Sequence, residues 1–96
     1  MIIAIDYDNT YTADPEGWEA FIDLMESRGH KVICVTGRDD GFFGDPVRKS
    51  IGKKIPVVFA GSAWKIDAAK KSGWDVNVWI DDSPQYVAPQ HIIKKI

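Results

Sequence analysis

The chain has 96 residues, 45% of them apolar and 27% charged, with a formal net charge of -2. That length allows one domain with a modest core, and the charge balance gives no basic field for nucleic acid beyond a local patch. A single cysteine, Cys34, excludes an internal disulfide and fits a reducing compartment; no signal peptide or membrane-length apolar run is visible, so a cytoplasmic location away from membranes is expected.

The run Ile2-Ile3-Ala4-Ile5 reads as a strand buried on both faces, stopping at two carboxylates, Asp6 and Asp8. If the pleat persists, both point to one side and Tyr7 to the other. A short polar connection, Tyr11-Thr12-Ala13, leads to Asp14-Pro15, where Asp caps a helix and Pro suits its first position. Trp18, Phe21, Ile22 and Met25 recur at helical spacing, and Gly29 supplies the stop. A second buried strand, Lys31 to Val35, ends at Thr36-Gly37-Arg38. Strand, helix and strand at this spacing form a right-handed βαβ unit with parallel strands.

A glycine-flanked loop carrying Phe42 and Phe43 follows, then Asp45-Pro46 repeats the cap-and-proline signal ahead of Val47 and Ile51. Ile55 to Ala60 is a third strand, with Pro56 near its start where proline is tolerated. Ser62 is expected to cap a third helix with Ala63, Ile66 and Ala69 inward and Gly73 at its end. Val76 to Ile80 is a fourth strand running into Asp81-Asp82-Ser83-Pro84, and His91-Ile92-Ile93 in the tail is a candidate edge strand. Alternating strands and helices give an α/β fold with a mostly parallel sheet of four to five strands.

Sites in open α/β sheets lie beyond the carboxyl ends of the strands. Parallel strands would gather Asp6 and Asp8, Thr36, and Asp81 and Asp82 at one rim, with Lys65 at the head of the third helix. Carboxylates brought together repel, and the simplest compensation is a divalent cation with oxygen ligands. Magnesium bound by carboxylates and a substrate phosphate is the usual form of such a site.

Asp6-Tyr7-Asp8-Asn9-Thr10, Thr36, Lys65 and Asp81-Asp82 together resemble the four ordered motifs of the haloacid dehalogenase superfamily, over roughly Ile2 to Pro84. The resemblance implies a three-layer, Rossmann-like fold and a Mg²⁺-dependent phosphatase. It also implies the roles: Asp6 as nucleophile forming an aspartyl phosphate, and Asp8 as acid and base. Thr36 and Lys65 would hold the phosphoryl oxygens beside Gly37 and Arg38, with Asp6, Asp8 (through its carbonyl), Asp81 and Asp82 on the metal. The short connections after Thr10 and between Thr36 and Lys65 leave no room for a cap domain. A capless site fits a bulky phosphorylated substrate, such as a nucleic-acid end or phosphoprotein, or shielding by a second subunit in a homo-oligomer. It also leaves open a metal- or phosphate-binding module that turns over slowly or not at all.

Each residue has a plainer competitor. Asp-x-Asp after a strand is also a turn signal. Lys70 and Lys71 suit the dipole at a helix end, so Lys65 is preferred for the site. Arg38 is divided between substrate and a pair with Asp39 or Asp40. Asp82 is divided between ligation, orienting Lys65 and capping the next turn. Phe42 and Phe43 are read as local core in preference to a stacking or partner surface, and Trp64 as core in preference to a substrate border. His30 and His91 lie away from the rim and read as structural, and Cys34 as inert core.

Overall fold

Successive side chains of a strand point to opposite faces, so a strand that is apolar throughout needs cover on both sides. The computed structural model, which describes residues 1–89, supplies that cover. Its strands are β1 (Ile2–Ile5), β2 (Lys31–Thr36), β3 (Val57–Phe59) and β4 (Val78–Ile80), and its α-helices are α1 (Pro15–Ser27), α2 (Asp45–Lys49) and α3 (Lys65–Lys71). Ile3, Ile5, Val32 and Cys34 pack on one face with Ile22 of α1 and Val47 of α2. Ala4, Ile33 and Val35 pack on the other face with Ala69 of α3.

The sheet order is β3-β2-β1-β4, and every pairing is parallel. The chain steps outward from β1 to β3 with α1 and α2 on one face. It then crosses back beneath the opposite face through α3 to place β4 beside β1. Placing the return helix on the opposite face is what a right-handed crossover requires once the direction of travel reverses. The arrangement is α/β and compatible with a Rossmann-like sheet. The order reverses between β1 and β4, the position where such sheets open a crevice at their carboxyl ends.

Local signals explain most boundaries. Asp14 caps α1 by accepting from the Gly17 amide at 3.1 Å, with Pro15 in the first turn. Gly29 ends the helix at φ 86, a conformation glycine adopts without penalty. Pro56 stands just before β3, and its carbonyl still accepts from Cys34 at 2.9 Å. His30 lies at the amino end of β2, where its Nδ1 accepts from the Met1 ammonium at 2.9 Å. Lys70 and Lys71 are exposed in the last turn of α3. Cys34 is fully buried, and burial pushes its thiol up to about 12.

Other expectations need correction. β3 and β4 are shorter than the apolar runs that marked them, and β2 extends to Thr36. Asp45 does not cap α2. It lies inside the first turn and accepts from Arg48 at 2.7 Å. Ser62 does not cap α3 either, and Ala63 is exposed. The helix starts at Lys65, and the Ile66 amide donates to the Val87 carbonyl at 2.9 Å. A free helical amide needs an acceptor of some kind, and here the chain beyond β4 provides it, with Val87 and Ala88 buried.

The connection at Tyr11–Ala13 is a 3-10 turn rather than a purely polar link. Tyr11 is buried, stacks on Tyr7 at 5.8 Å and donates its hydroxyl to Glu19 at 2.5 Å. Phe42 and Phe43 are 81% and 66% exposed, so they are not local core. They pack edge to face against each other at 5.6 Å. The segment His91-Ile92-Ile93 lies outside the described residues.

Candidate active site

Register fixes the neighbours before any side chain is considered. Ile5 is paired with Ile80 of β4, and the Asp6 amide continues that ladder by donating to the Ile80 carbonyl at 2.9 Å. Asp6 and Asp81, distant in sequence, therefore leave adjacent strands side by side. Lys65, the first residue of α3, reaches the same point. Its Nζ donates to Asp6 at 2.7 Å and to Asp81 at 2.6 Å, and the three side chains are nearly sealed from solvent.

The turn after β1 holds Asp6 from the other side. The chain curls back through the Tyr11 amide, which donates to the Asp6 carbonyl at 3.3 Å. The Thr10 hydroxyl lies 3.5 Å from an Asp6 carboxylate oxygen and 3.4 Å from one of Asp82. Asn9 takes φ 62, a left-handed conformation that asparagine tolerates better than most residues. Asp81, not Asp82, accepts from the Ser83 amide, at 2.9 Å, and the 3-10 turn Pro84–Tyr86 that follows has no side-chain cap.

One ammonium is shared between two carboxylates, whose other oxygens turn to the Thr10 hydroxyl and the Ser83 amide. Burial pushes Asp6 up to about 6 against the pull of Lys65, with Asp82 and Asp81 adding to the rise. Burial disfavours the Lys65 charge, yet its hydrogen bonds to Asp6 and Asp81 outweigh that and hold it above its ordinary value. Burial dominates at Asp6, whereas at Lys65 the two carboxylates outweigh it.

Asp6, Asp81 and Asp82 each place a carboxylate oxygen within 4.8 Å of the others. With the Lys65 ammonium set against them, three ionised carboxylates leave a formal charge of -2. Oxygen donors of this kind and this charge suit a hard divalent cation. The residues present fit such an ion, with the Asp6 and Asp81 carboxylates buried and Asp82 at the exposed lip.

Asp8 is engaged elsewhere. Arg38 grips both of its carboxylate oxygens, from Nε at 3.0 Å and from the terminal nitrogen at 2.8 Å. That resolves Arg38 in favour of a partner not anticipated: neither Asp39 nor Asp40 is its ion-pair partner, and Asp40 pairs instead with Arg48. Arg38 also lies over the Tyr7 ring at 5.1 Å and donates to the Phe43 carbonyl at 2.8 Å. The guanidinium holds the Asp8 carboxyl below its usual range. The Asp8 carboxylate stands outside the Asp6, Asp81 and Asp82 trio.

A cavity of about 460 Å³ opens over this rim, lined by Asp6, Asp8, Gly37, Lys65, Asp81 and Asp82 among others. Thr36 ends β2 at the same rim but is fully buried, with its hydroxyl accepting from the Arg38 amide at 3.2 Å. Gly37 rather than Thr36 forms that part of the wall. Gly61 also lines it, at φ 57, where an added Cβ would come within 2.6 Å of the Asp39 carboxylate. Trp64 is 40% exposed and faces this cavity rather than the core.

Sequence reasoning missed Thr10 as the hydroxyl bridging toward Asp6 and Asp82, and Tyr86 as part of the wall. Thr10 carried a signal in its position two residues after Asp8. Tyr86 carried none, because only the turn after β4 brings it to the rim. Compared with protein-family models, curated proteins and solved structures, the chain matches none.

Proposed function

We propose that this chain is a small, capless Mg²⁺-dependent phosphate monoester hydrolase of the haloacid dehalogenase type, working through an aspartyl phosphate on Asp6. The observation that supports it best is Lys65 bridging Asp6 and Asp81 beside Asp82 at the β1–β4 reversal. An anionic nucleophile approaches a phosphate dianion only where positive charge offsets the repulsion. Lys65 provides part of that charge. A magnesium ion on Asp6, Asp81 and Asp82, when bound, would neutralise the rest and polarise the phosphoryl oxygens.

In this reading an Asp6 oxygen forms a bond to phosphorus as the bond to the leaving oxygen breaks. Water then displaces Asp6 from phosphorus, releasing phosphate and restoring the carboxylate. Asp8 would give a proton to the leaving oxygen and take one from water. To do so it must be released from Arg38, whose two bonds occupy both of its oxygens. The pair is partly exposed, so a substrate oxygen that displaced the Arg38 side chain from Asp8 would release it.

The same pair favours a second reading, a metal- and phosphate-binding module with little turnover, in which Asp8 stays bound. The two separate in one experiment. Wild-type protein with Mg²⁺ is expected to release phosphate from an aryl phosphate, and Asp6→Asn to abolish release while melting cooperatively. Equal turnover by the two proteins refutes the nucleophile assignment. Binding of phosphate with no turnover by either favours the module.

A further inference from the structure

The two segments that carry the site residues each bring a large aromatic side chain to the same cavity. Trp64 immediately precedes Lys65, and Tyr86 belongs to the 3-10 turn Pro84–Tyr86 that follows Asp81 and Asp82. Both line the wall, at 40% and 62% exposure. Neither belongs to the packed clusters on the two faces of the sheet. Among the described residues, neither the indole N–H nor the phenol hydroxyl has a side-chain hydrogen bond.

A single exposed aromatic is ordinary. Two such residues, from separate elements and lining one cavity beside the acidic cluster, offer a surface suited to a flat ring. The same cavity carries four carboxylates, Asp6, Asp8, Asp81 and Asp82, and among the described residues Lys65 is the only lysine in its wall and no arginine lines it. A second phosphate on the substrate would meet like charge there, which disfavours a polynucleotide and favours one phosphate. A volume of about 460 Å³ suits a small molecule.

We propose that the cavity selects a phosphate monoester whose alcohol carries a flat aromatic ring, with the ring held against Trp64 and Tyr86 and the phosphate directed to Lys65. This rests on the phosphatase reading for the anionic end only. The ring chemistry has two sources, a nucleobase and a phenol, and the experiment separates them. Base–aromatic stacking of the strength found elsewhere gives about tenfold in affinity.

The test uses full-length Asp6→Asn protein with Mg²⁺ and compares dissociation constants for adenosine 5′-monophosphate, phenyl phosphate and ribose 5-phosphate. The expected result is about tenfold tighter binding of a ring-bearing probe than of ribose 5-phosphate. Preference for the nucleotide assigns a nucleobase, and preference for phenyl phosphate assigns a phenol. Trp64→Leu and Tyr86→Leu, added singly, are expected to bring that ratio toward one, with thermal melts reporting that each variant is folded. Equal binding of all three probes, or a preference untouched by both substitutions, overturns the proposal.

Turnover by the wild type is read separately. Phosphate release from all three probes with no ring preference in kcat/KM or binding overturns the ring subsite and leaves the phosphatase standing. Ring preference in binding with no release overturns the phosphatase and leaves the subsite standing. Failure of every probe to bind overturns both.

Discussion

Replacing Lys65 with methionine removes the cation and keeps a side chain of similar length. In the folded protein Nζ lies 2.7 Å from Asp6 and 2.6 Å from Asp81, with side-chain exposures of 6%, 7% and 3% for Lys65, Asp6 and Asp81. Taking one partner out of a buried ion pair leaves charge stranded in a poorly solvated site, at a cost of about 3–5 kcal/mol. In a domain of this size each 1 kcal/mol shifts the melting temperature by about 4–8 °C, so the lower bound corresponds to a fall of about 12–24 °C.

Charge, rather than packing, sets that loss, and two measurements separate them. Asp6 is already raised from 3.8 to about 6 with Lys65 in place. A carboxyl whose folded value is raised contributes fully below its unfolded value, and that contribution is lost as pH rises through the folded value. The gap between Lys65→Met and wild type should therefore be small near pH 5 and large near pH 8. Mg²⁺ offers a second neutraliser. Losing Lys65 makes the carboxylate trio more negative, so Mg²⁺ should bind the variant more tightly than wild type, and the gap at pH 8 should narrow on moving from EDTA to Mg²⁺. Thermal melts of both proteins in four buffers provide the comparison. A gap of one size at pH 5 and pH 8, with and without Mg²⁺, refutes the charge argument and assigns the loss to packing.

Arg38→Gln is expected to let the Asp8 carboxyl return toward 3.8, measured by carboxyl NMR titration of the metal-free protein. The pair is partly exposed, at 29% and 47%, so its stability cost should be only about 0.5–1 kcal/mol. The Asp8 value is depressed in the fold, so that contribution is present above 3.8 and lost as pH falls through the folded value. An unchanged Asp8 titration in Arg38→Gln would show that the pair does not form in solution. Cys34, buried and raised to about 12, should resist thiol reagents in native protein at pH 8 and react only as fast as the chain unfolds in urea. Rapid labelling without denaturant would contradict its placement inside β2.

Legibility in the sequence followed how local each cause is. Asp14-Pro15 and Gly29 bound α1 through bonds to neighbouring residues, so their signals could be read directly. Largely apolar runs marked all four strands, and most clearly β1 and β2, whose residues are covered on both faces. The bounds of β3 and β4 were less certain, because the runs that marked them extend beyond the residues in ladder register. The α3 cap could not be read: Ser62 offered the usual hydroxyl, but the acceptor is the Val87 carbonyl, brought there by the fold.

The site divides the same way. Sequence alone determined which groups are candidates, because carboxylates, a hydroxyl and a lysine at the ends of parallel elements must meet at one rim. Only the tertiary structure decided their partners. It gave Lys65 to Asp6 and Asp81, gave Asp8 to Arg38, and turned Trp64 and Tyr86 toward the cavity. Element type follows from backbone and periodicity, which repeat along the chain. A side chain's partner depends on distances across the fold that no local pattern encodes.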